Sequence, residues 1–196
     1  MDPRLAAATL RQPDATTCGA AVLVMARSIS DPGYAELLAT GLHPLTGYRL
    51  PGAIQERFAA EALAMHRRTT SSVDVRGAAQ LPWPQKYGTP PWAVARQLSG
   101  STGTPWQAKA ISPWGRSGAL KEIRSAAARQ AVPLFVGSRW IPRHVVLVLD
   151  ADLRVYEPSS GRVVTIKADD FVRASLSLAG WSNPWFSVLP ARRTRA

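Results

Sequence analysis

Cys18 is the residue of this sequence whose chemistry is most distinctive. It is the only cysteine, and it follows Thr16 and Thr17, either of which can cap the helix that the next apolar residues predict. A helix N-terminus presents free N–H groups and a partial positive charge, which both stabilise a thiolate. Gly19 is expected to leave room beside the sulfur for a substrate backbone. The alternative interpretation is an inert cysteine packed as a small hydrophobic residue.

Three other side chains have the types that would complete a thiol-dependent site. Gln12 precedes Cys18 by six positions, and its amide can donate a hydrogen bond to an oxyanion. His144 opens an apolar strand and can act as a general base. Glu157 ends the next strand, so antiparallel pairing of the two strands would bring it to His144, where a carboxylate orients an imidazole. Taken singly, each has an ordinary alternative: a solvated glutamine, a structural histidine and a surface carboxylate.

The order and spacing of these residues resemble the papain-like cysteine peptidases of the C39 type. That family includes the bacteriocin-leader peptidases and their stand-alone C39-like relatives. The resemblance rests on QPDATTCGAA at 12–21, HVV at 144–146 and VYEPSSG at 155–161. It covers about residues 10–190, and the segment 181–189 is similar to the terminal strand of the family.

This resemblance implies a role for each residue. Cys18 would be the nucleophile, His144 the base, Gln12 the oxyanion donor and Glu157 the orienting residue. The family usually has Asp where this chain has Glu157, which is one methylene longer. No transporter segments follow in this sequence, so a double-glycine leader substrate is not implied.

The elements that must position these residues fall into two halves. Helices are predicted from about Thr17 to a turn at 31–33, then over 53–67, 91–98 and 117–130. In the second of them, Ile54, Phe58, Ala62 and Leu63 are expected to face inward. The segment 81–116, rich in Pro, Gly and Trp, is predicted as loops around the third helix. Its Pro-Trp pairs would either line a substrate cleft or pin loops by packing.

Strands are predicted in the second half, over 131–136, 144–149, 153–157, 162–166 and 185–189, with a short helix over 169–178. Helices followed by an antiparallel meander indicate an α+β fold. The resemblance sharpens this to a papain-like two-lobed fold, with an N-terminal helical lobe that holds the nucleophile helix and a C-terminal sheet lobe. We expect one domain over residues 1–196, with a basic tail at 191–196.

Composition excludes several classes of protein. One cysteine allows no intrachain disulfide and no zinc site built on cysteine pairs, and only His43, His66 and His144 could supply imidazole ligands. No metal or organic cofactor is therefore implied. No apolar run reaches the length of a membrane span, and the N-terminus does not resemble a signal peptide. A cytoplasmic location is the default expectation, with leaderless export left open.

The charge balance is strongly basic, with 24 Lys and Arg against 13 Asp and Glu and a net charge of +11. Most of the arginines are scattered singly, and the dense groups are Arg67-Arg68 and 192–195. Scattered charge indicates a solvated surface rather than a nucleic-acid interface, so nucleic acid is disfavoured as a partner. An acidic substrate or partner stays open.

The sequence therefore predicts a thiol-dependent hydrolase, most simply a cysteine peptidase acting on a peptide or protein. Three alternatives remain at this point. The first is a catalytically inactive binding module on the same fold. The second is an acyl or amide transferase that uses the same residues with an amine acceptor in place of water. The third is a basic nucleic-acid-binding protein in which Cys18 belongs to the core.

Overall fold

The computed structural model describes residues 2–191, so residues 192–196 of the expected basic tail lie outside the described residues. The helices are α1 (Pro3–Ala7), α2 (Cys18–Ser30), α3 (Pro32–Thr40), α4 (Ile54–Thr70), α5 (Pro91–Thr102), α6 (Arg116–Ala127) and α7 (Ala168–Arg173). The strands are β1 (Trp106–Ala110), β2 (Val132–Gly137), β3 (Pro142–Val148), β4 (Arg154–Glu157), β5 (Arg162–Thr165) and β6 (Asn183–Pro190). Short 3₁₀ turns lie at Gln85–Tyr87 and Pro113–Gly115.

The strands form one sheet in the order β1-β6-β2-β3-β4-β5, and every neighbouring pair is antiparallel. Strands β2 to β5 are the predicted meander. The last strand, β6, returns between β1 and β2, which leaves β1 and β5 at the edges. Mixed helices and an antiparallel sheet agree with the predicted α+β class.

The sheet separates two hydrophobic cores because the side chains of a strand alternate between its faces. On one face, Val145 and Leu147 of β3 pack in the core that contains α2. On the other face, Val146 and Val148 pack in the core that contains Ile123 of α6. The middle of α2 is buried around its whole circumference, from Ala20 to Ala26, as its apolar sequence predicts. Cys18 therefore begins a helix that the core holds rigidly.

Three local predictions were wrong. α2 ends where residues 31–33 were expected to stop it, but these residues begin α3 instead of forming a turn. Asp31 caps α3, and its carboxylate accepts a hydrogen bond from the Tyr34 N–H at 3.0 Å. Strand β1 lies in the segment that was predicted as loops, where its pairing with β6 stabilises it. Leu63 is 37% exposed, whereas Met65 is buried instead.

Within residues 2–191, no helix combines the length and the apolar character that crossing a membrane requires.

Candidate active site

Cys18 is the first residue of α2, as the sequence predicts, but neither threonine caps the helix with its side chain. Thr17 occupies the capping position, and its hydroxyl instead donates to the Asp14 carbonyl at 3.0 Å. Among residues 2–191, no acceptor receives a hydrogen bond from the Cys18 backbone N–H. This donor is therefore free at the end of the helix that carries the partial positive charge.

The turn before Cys18 is held by Asp14. Its carboxylate accepts hydrogen bonds from the Thr16 N–H and the Thr16 hydroxyl, both at 2.7 Å. Burial alone would raise the pKa of Asp14, but these hydrogen bonds outweigh it and the pKa is lowered. Thr16 thus stabilises the loop that leads into the nucleophile helix rather than the helix itself.

His144 and Glu157 meet as the antiparallel pairing of β3 and β4 predicts. The His144 Nε2 lies 2.8 Å from the Glu157 Oε1, and both residues are about 5% exposed. The hydrogen bond to Glu157 commits Nε2, so Nδ1 is the ring nitrogen that remains for another partner. Asp150 lies at the other end of the hairpin, where its carboxylate binds Arg154. The extra methylene of Glu157 therefore does not prevent the carboxylate from reaching the imidazole.

Cys18 is the other group that acts on His144. Burial lowers the pKa of His144, but hydrogen bonding and charge interaction with Cys18 and Glu157 outweigh burial and raise it to about 9. An imidazole with this pKa is protonated at neutral pH. His144 is therefore the group beside Cys18 that can hold a proton and transfer it.

Glu157 is held by the turn that follows it. Its Oε1 accepts a hydrogen bond from the Ser159 N–H at 2.7 Å, and its Oε2 accepts one from the Ser160 N–H at 2.9 Å. Burial would raise the pKa of this carboxyl, but the hydrogen bonds from His144 and from the turn lower it to about 2. The residues after Pro158 were predicted as a turn, but their N–H groups were not recognised as part of the site.

Gly161 closes that turn in a conformation that favours glycine. Its φ is +69°, and a Cβ there would lie 2.8 Å from the Leu10 carbonyl oxygen. The same carbonyl accepts a hydrogen bond from the buried Tyr156 hydroxyl at 2.7 Å. The segment that carries Gln12 is therefore fixed directly against the turn that carries Glu157.

Gln12 lies between that turn and the Cys18 loop. Its backbone N–H donates to the Pro158 carbonyl at 2.8 Å, and its side-chain oxygen accepts from the Ser159 hydroxyl at 3.4 Å. Its Nε2 donates to the Asp14 carbonyl at 2.6 Å. An amide nitrogen carries two hydrogens, so one donor remains for a substrate. The structure thus brings all four predicted residues into one connected region.

Gly19 has a different role from the one expected. A Cβ at Gly19 would lie 2.8 Å from the Thr89 Cβ and 3.5 Å from a Val145 methyl group. The missing side chain therefore permits close packing of α2, rather than leaving space for a substrate. Thr89 also lies 3.5 Å from the Nδ1 of His66, which is buried and has a lowered pKa because of that burial. His66 is a packing residue, in agreement with the sequence prediction.

The Pro-Trp pairs divide between packing and exposure. Trp106 is buried and donates to the Thr102 hydroxyl at 2.9 Å, so it pins its loop. Trp83 and Trp92 pack edge to face at 5.1 Å. Trp114 is 92% exposed. Packing therefore accounts for three of these indoles, and the expected cleft lining stays a prediction.

Two further observations concern ligands and relatives. Among residues 2–191, no three His, Cys, Asp or Glu side chains are gathered closely enough to hold a metal ion. No protein-family model matches the chain, and no curated protein matches its sequence.

Proposed function

We propose that the protein is a thiol-dependent hydrolase, and specifically a cysteine peptidase of the papain-like, C39-like class with two lobes. One observation carries the proposal. Cys18 begins a buried helix and interacts with an imidazole whose Nε2 is held 2.8 Å from Glu157. A nucleophile, a base and an orienting carboxylate in this order are the arrangement that activates a thiol for acyl chemistry.

The proposed reaction gives each of these groups a role. The Cys18 thiolate attacks the carbonyl carbon of a peptide bond, and a C–S bond forms. The free Cys18 N–H and the second hydrogen of the Gln12 Nε2 stabilise the oxyanion. Protonated His144 transfers its proton to the leaving amine as the C–N bond breaks. His144 then takes a proton from water as the water oxygen attacks the thioester carbon. The C–S bond breaks, the carboxylic acid leaves, and the Cys18 thiolate and protonated His144 are restored.

Alkylation of the single thiol tests the proposal without knowledge of the substrate. The rate of Cys18 modification by iodoacetamide would be measured by intact mass from about pH 5 to pH 10. We expect fast modification to persist below neutrality in the parent chain and to be lost in His144→Ala. His43→Ala is the matched control, because it removes an imidazole from a surface turn, and Cys18→Ser sets the zero.

NMR titration of the His144 ring provides an independent measurement. The pKa of about 9 should fall in Cys18→Ser and in Glu157→Gln, because each variant removes one of the groups that raise it. An ordinary titration in the parent chain, together with slow modification that is unchanged in His144→Ala, would overturn the peptidase proposal. If both tests succeed, cleavage of a peptide library by the parent chain, with Cys18→Ser as control, would be the next experiment.

A binding module that has lost catalysis is the second candidate. It is favoured by the exposed fraction of 5% for both Cys18 and His144, which restricts the approach of a substrate to the sulfur. On this interpretation, iodoacetamide would fail to modify Cys18 in the folded chain and would modify it fully in denaturant.

A further inference from the structure

A cavity of about 410 Å³ lies outside the candidate active site, between α6 and the ends of β1 and β6. Its polar lining consists of Lys109 from β1, Lys121, Glu122 and Ser125 from α6, and Arg129 just after α6. Cavities of 300–1,000 Å³ are the usual size for small-molecule sites. The size therefore suits a small ligand better than a macromolecular partner.

The cationic side chains of this cavity differ in whether they have an anionic partner. Lys109 pairs with Glu122 at 3.0 Å. Among residues 2–191, neither Lys121 nor Arg129 has an ion pair or a side-chain hydrogen bond, and the Ser125 hydroxyl also has no partner. Lys121 and Arg129 are exposed and enclose Ser125 along the same side of the helix. Two unpaired cations and a free hydroxyl can all donate to one anion, and phosphate oxygens accept such donors well.

One part of the cavity lining is apolar, and we call this part the floor. It is formed by Ala126 of α6 together with Leu189 and Pro190 at the end of β6. A ligand that fills the cavity would therefore place an apolar part against this floor and its negative charge beside Lys121 and Arg129. An inorganic anion would contact only the cationic side chains and would leave the apolar floor uncovered.

The cavity is well separated from His144. Val136 of β2 pairs with His144 on one side and with Pro184 of β6 on the other. Leu189 lies five residues further along β6, about 16 Å in an extended strand. In addition, α6 packs on the face of the sheet opposite to α2. A ligand in the cavity would thus occupy a separate site from a substrate at Cys18.

We infer that this cavity binds a small anion that carries phosphate and an apolar ring, of about the size of a nucleoside diphosphate. The inference does not depend on the proposed peptidase activity. The overall charge of +11 would also attract such an anion by long-range steering.

Isothermal titration calorimetry of the full 196-residue chain tests the inference with three probes: ADP, pyrophosphate and adenosine. We expect ADP to bind at least tenfold more tightly than either pyrophosphate, which lacks the ring, or adenosine, which lacks phosphate. Because the contacts to phosphate are ionic, binding should weaken when NaCl is raised from about 50 to 500 mM.

The matched variants remove equal charge from two places. Lys121→Gln/Arg129→Gln should weaken ADP binding at least tenfold. Arg162→Gln/Arg173→Gln removes two exposed arginines outside the cavity. It should change the affinity for ADP less than twofold. Circular dichroism would show that both variants are folded.

Three results would overturn the inference. Failure of both ADP and pyrophosphate to bind at millimolar concentration would rule out the anion site altogether. An equal loss of ADP affinity in the two double variants would mean that the ligand is attracted only by the net positive charge of the protein. Equal affinity for pyrophosphate and ADP would refute the part that assigns an apolar ring to the floor.

Discussion

At the end of the sheet where β3 begins, His144 and Glu157 are buried and hydrogen-bonded to each other. Beside the end of β6, Lys121 and Arg129 are exposed, and neither forms an ion pair with any residue in the described range 2–191. The buried groups carry opposite charges and satisfy each other with additional backbone donors. The exposed groups carry the same charge and rely on water. Buried charges are tolerated only when paired, so the first arrangement is sensitive to any change, and the second is free to take a ligand.

The largest expected effect is that of Glu157→Ala. It leaves the His144 imidazole and the N–H groups of Ser159 and Ser160 without their acceptor in a buried place. Breaking a buried pair by removing one partner typically costs about 3–5 kcal/mol. Urea denaturation would measure the free energy of unfolding. A loss below about 1 kcal/mol would show that the pair is accessible to water and would weaken the comparison.

The second-largest effect is the loss of folding stability at acidic pH. The pKa of Glu157 falls from 4.5 to about 2 on folding. Between these values the unfolded chain binds a proton that the folded chain does not, so stability decreases as the pH falls through this window. One pKa unit corresponds to about 1.4 kcal/mol, so the total is about 3 kcal/mol.

Glu157→Gln isolates this contribution, because it keeps an acceptor but cannot titrate. The stability difference between the parent chain and Glu157→Gln should shrink from pH 4.5 towards pH 2. A constant difference across this range would contradict the assignment of a depressed pKa to Glu157.

A smaller effect is expected for Gly161→Ala. The positive φ and the approach to the Leu10 carbonyl should together cost about 1–3 kcal/mol. Gly47→Ala is the control, because Gly47 has a φ of +67° but no atom within 4 Å of the added Cβ. Thermal unfolding would measure the stability of both variants relative to the parent chain. If both variants lost the same stability, the contact with Leu10 would have no separate contribution.

The smallest effect is expected for Lys121→Gln/Arg129→Gln, which should change the free energy of unfolding by less than about 0.5 kcal/mol. Arg129 follows the C-terminus of α6, where a cation also favours the helix by a few tenths of a kcal/mol. Urea denaturation without ligand would measure the change. A loss above about 1 kcal/mol would mean that these cations serve the fold, and the contrast with the buried pair would no longer hold.

Much of the fold could be predicted because its signals are local. The apolar block after Cys18 predicted α2, and the apolar runs with intervening turns predicted the meander of β2 to β5. β1 was missed although its residues WQAKA alternate between apolar and polar, because the run is short and lies in a segment rich in Pro, Gly and Trp; pairing with a strand some 80 residues later stabilises it. α3 was missed because Asp-Pro-Gly is typical of turns, whereas here Asp31 and Pro32 begin a helix.

The four side chains of the candidate site could be predicted from the sequence. The backbone groups that hold them in place could not. Gln12, Cys18, His144 and Glu157 could be selected by type and order. The backbone donors of Ser159 and Ser160 could not, because every residue has an N–H and only the folded turn directs two of them at one carboxylate. Gly19 was misinterpreted for a similar reason, since the neighbour that needs its missing side chain, Thr89, is 70 residues away.

The sequence by itself determined which chemical groups are present, the helix that Cys18 begins and the strands that carry His144 and Glu157. These follow from residue type and from periodicity, which act over a few residues. Only the tertiary structure decided that α2 brings Cys18 to the imidazole, that Glu157 reaches its Nε2, and that Lys121 and Arg129 border a cavity. Those outcomes depend on packing between segments that are distant in the chain. Packing brings Cys18 and Glu157 to His144, where their effect outweighs that of burial and raises the pKa of the imidazole.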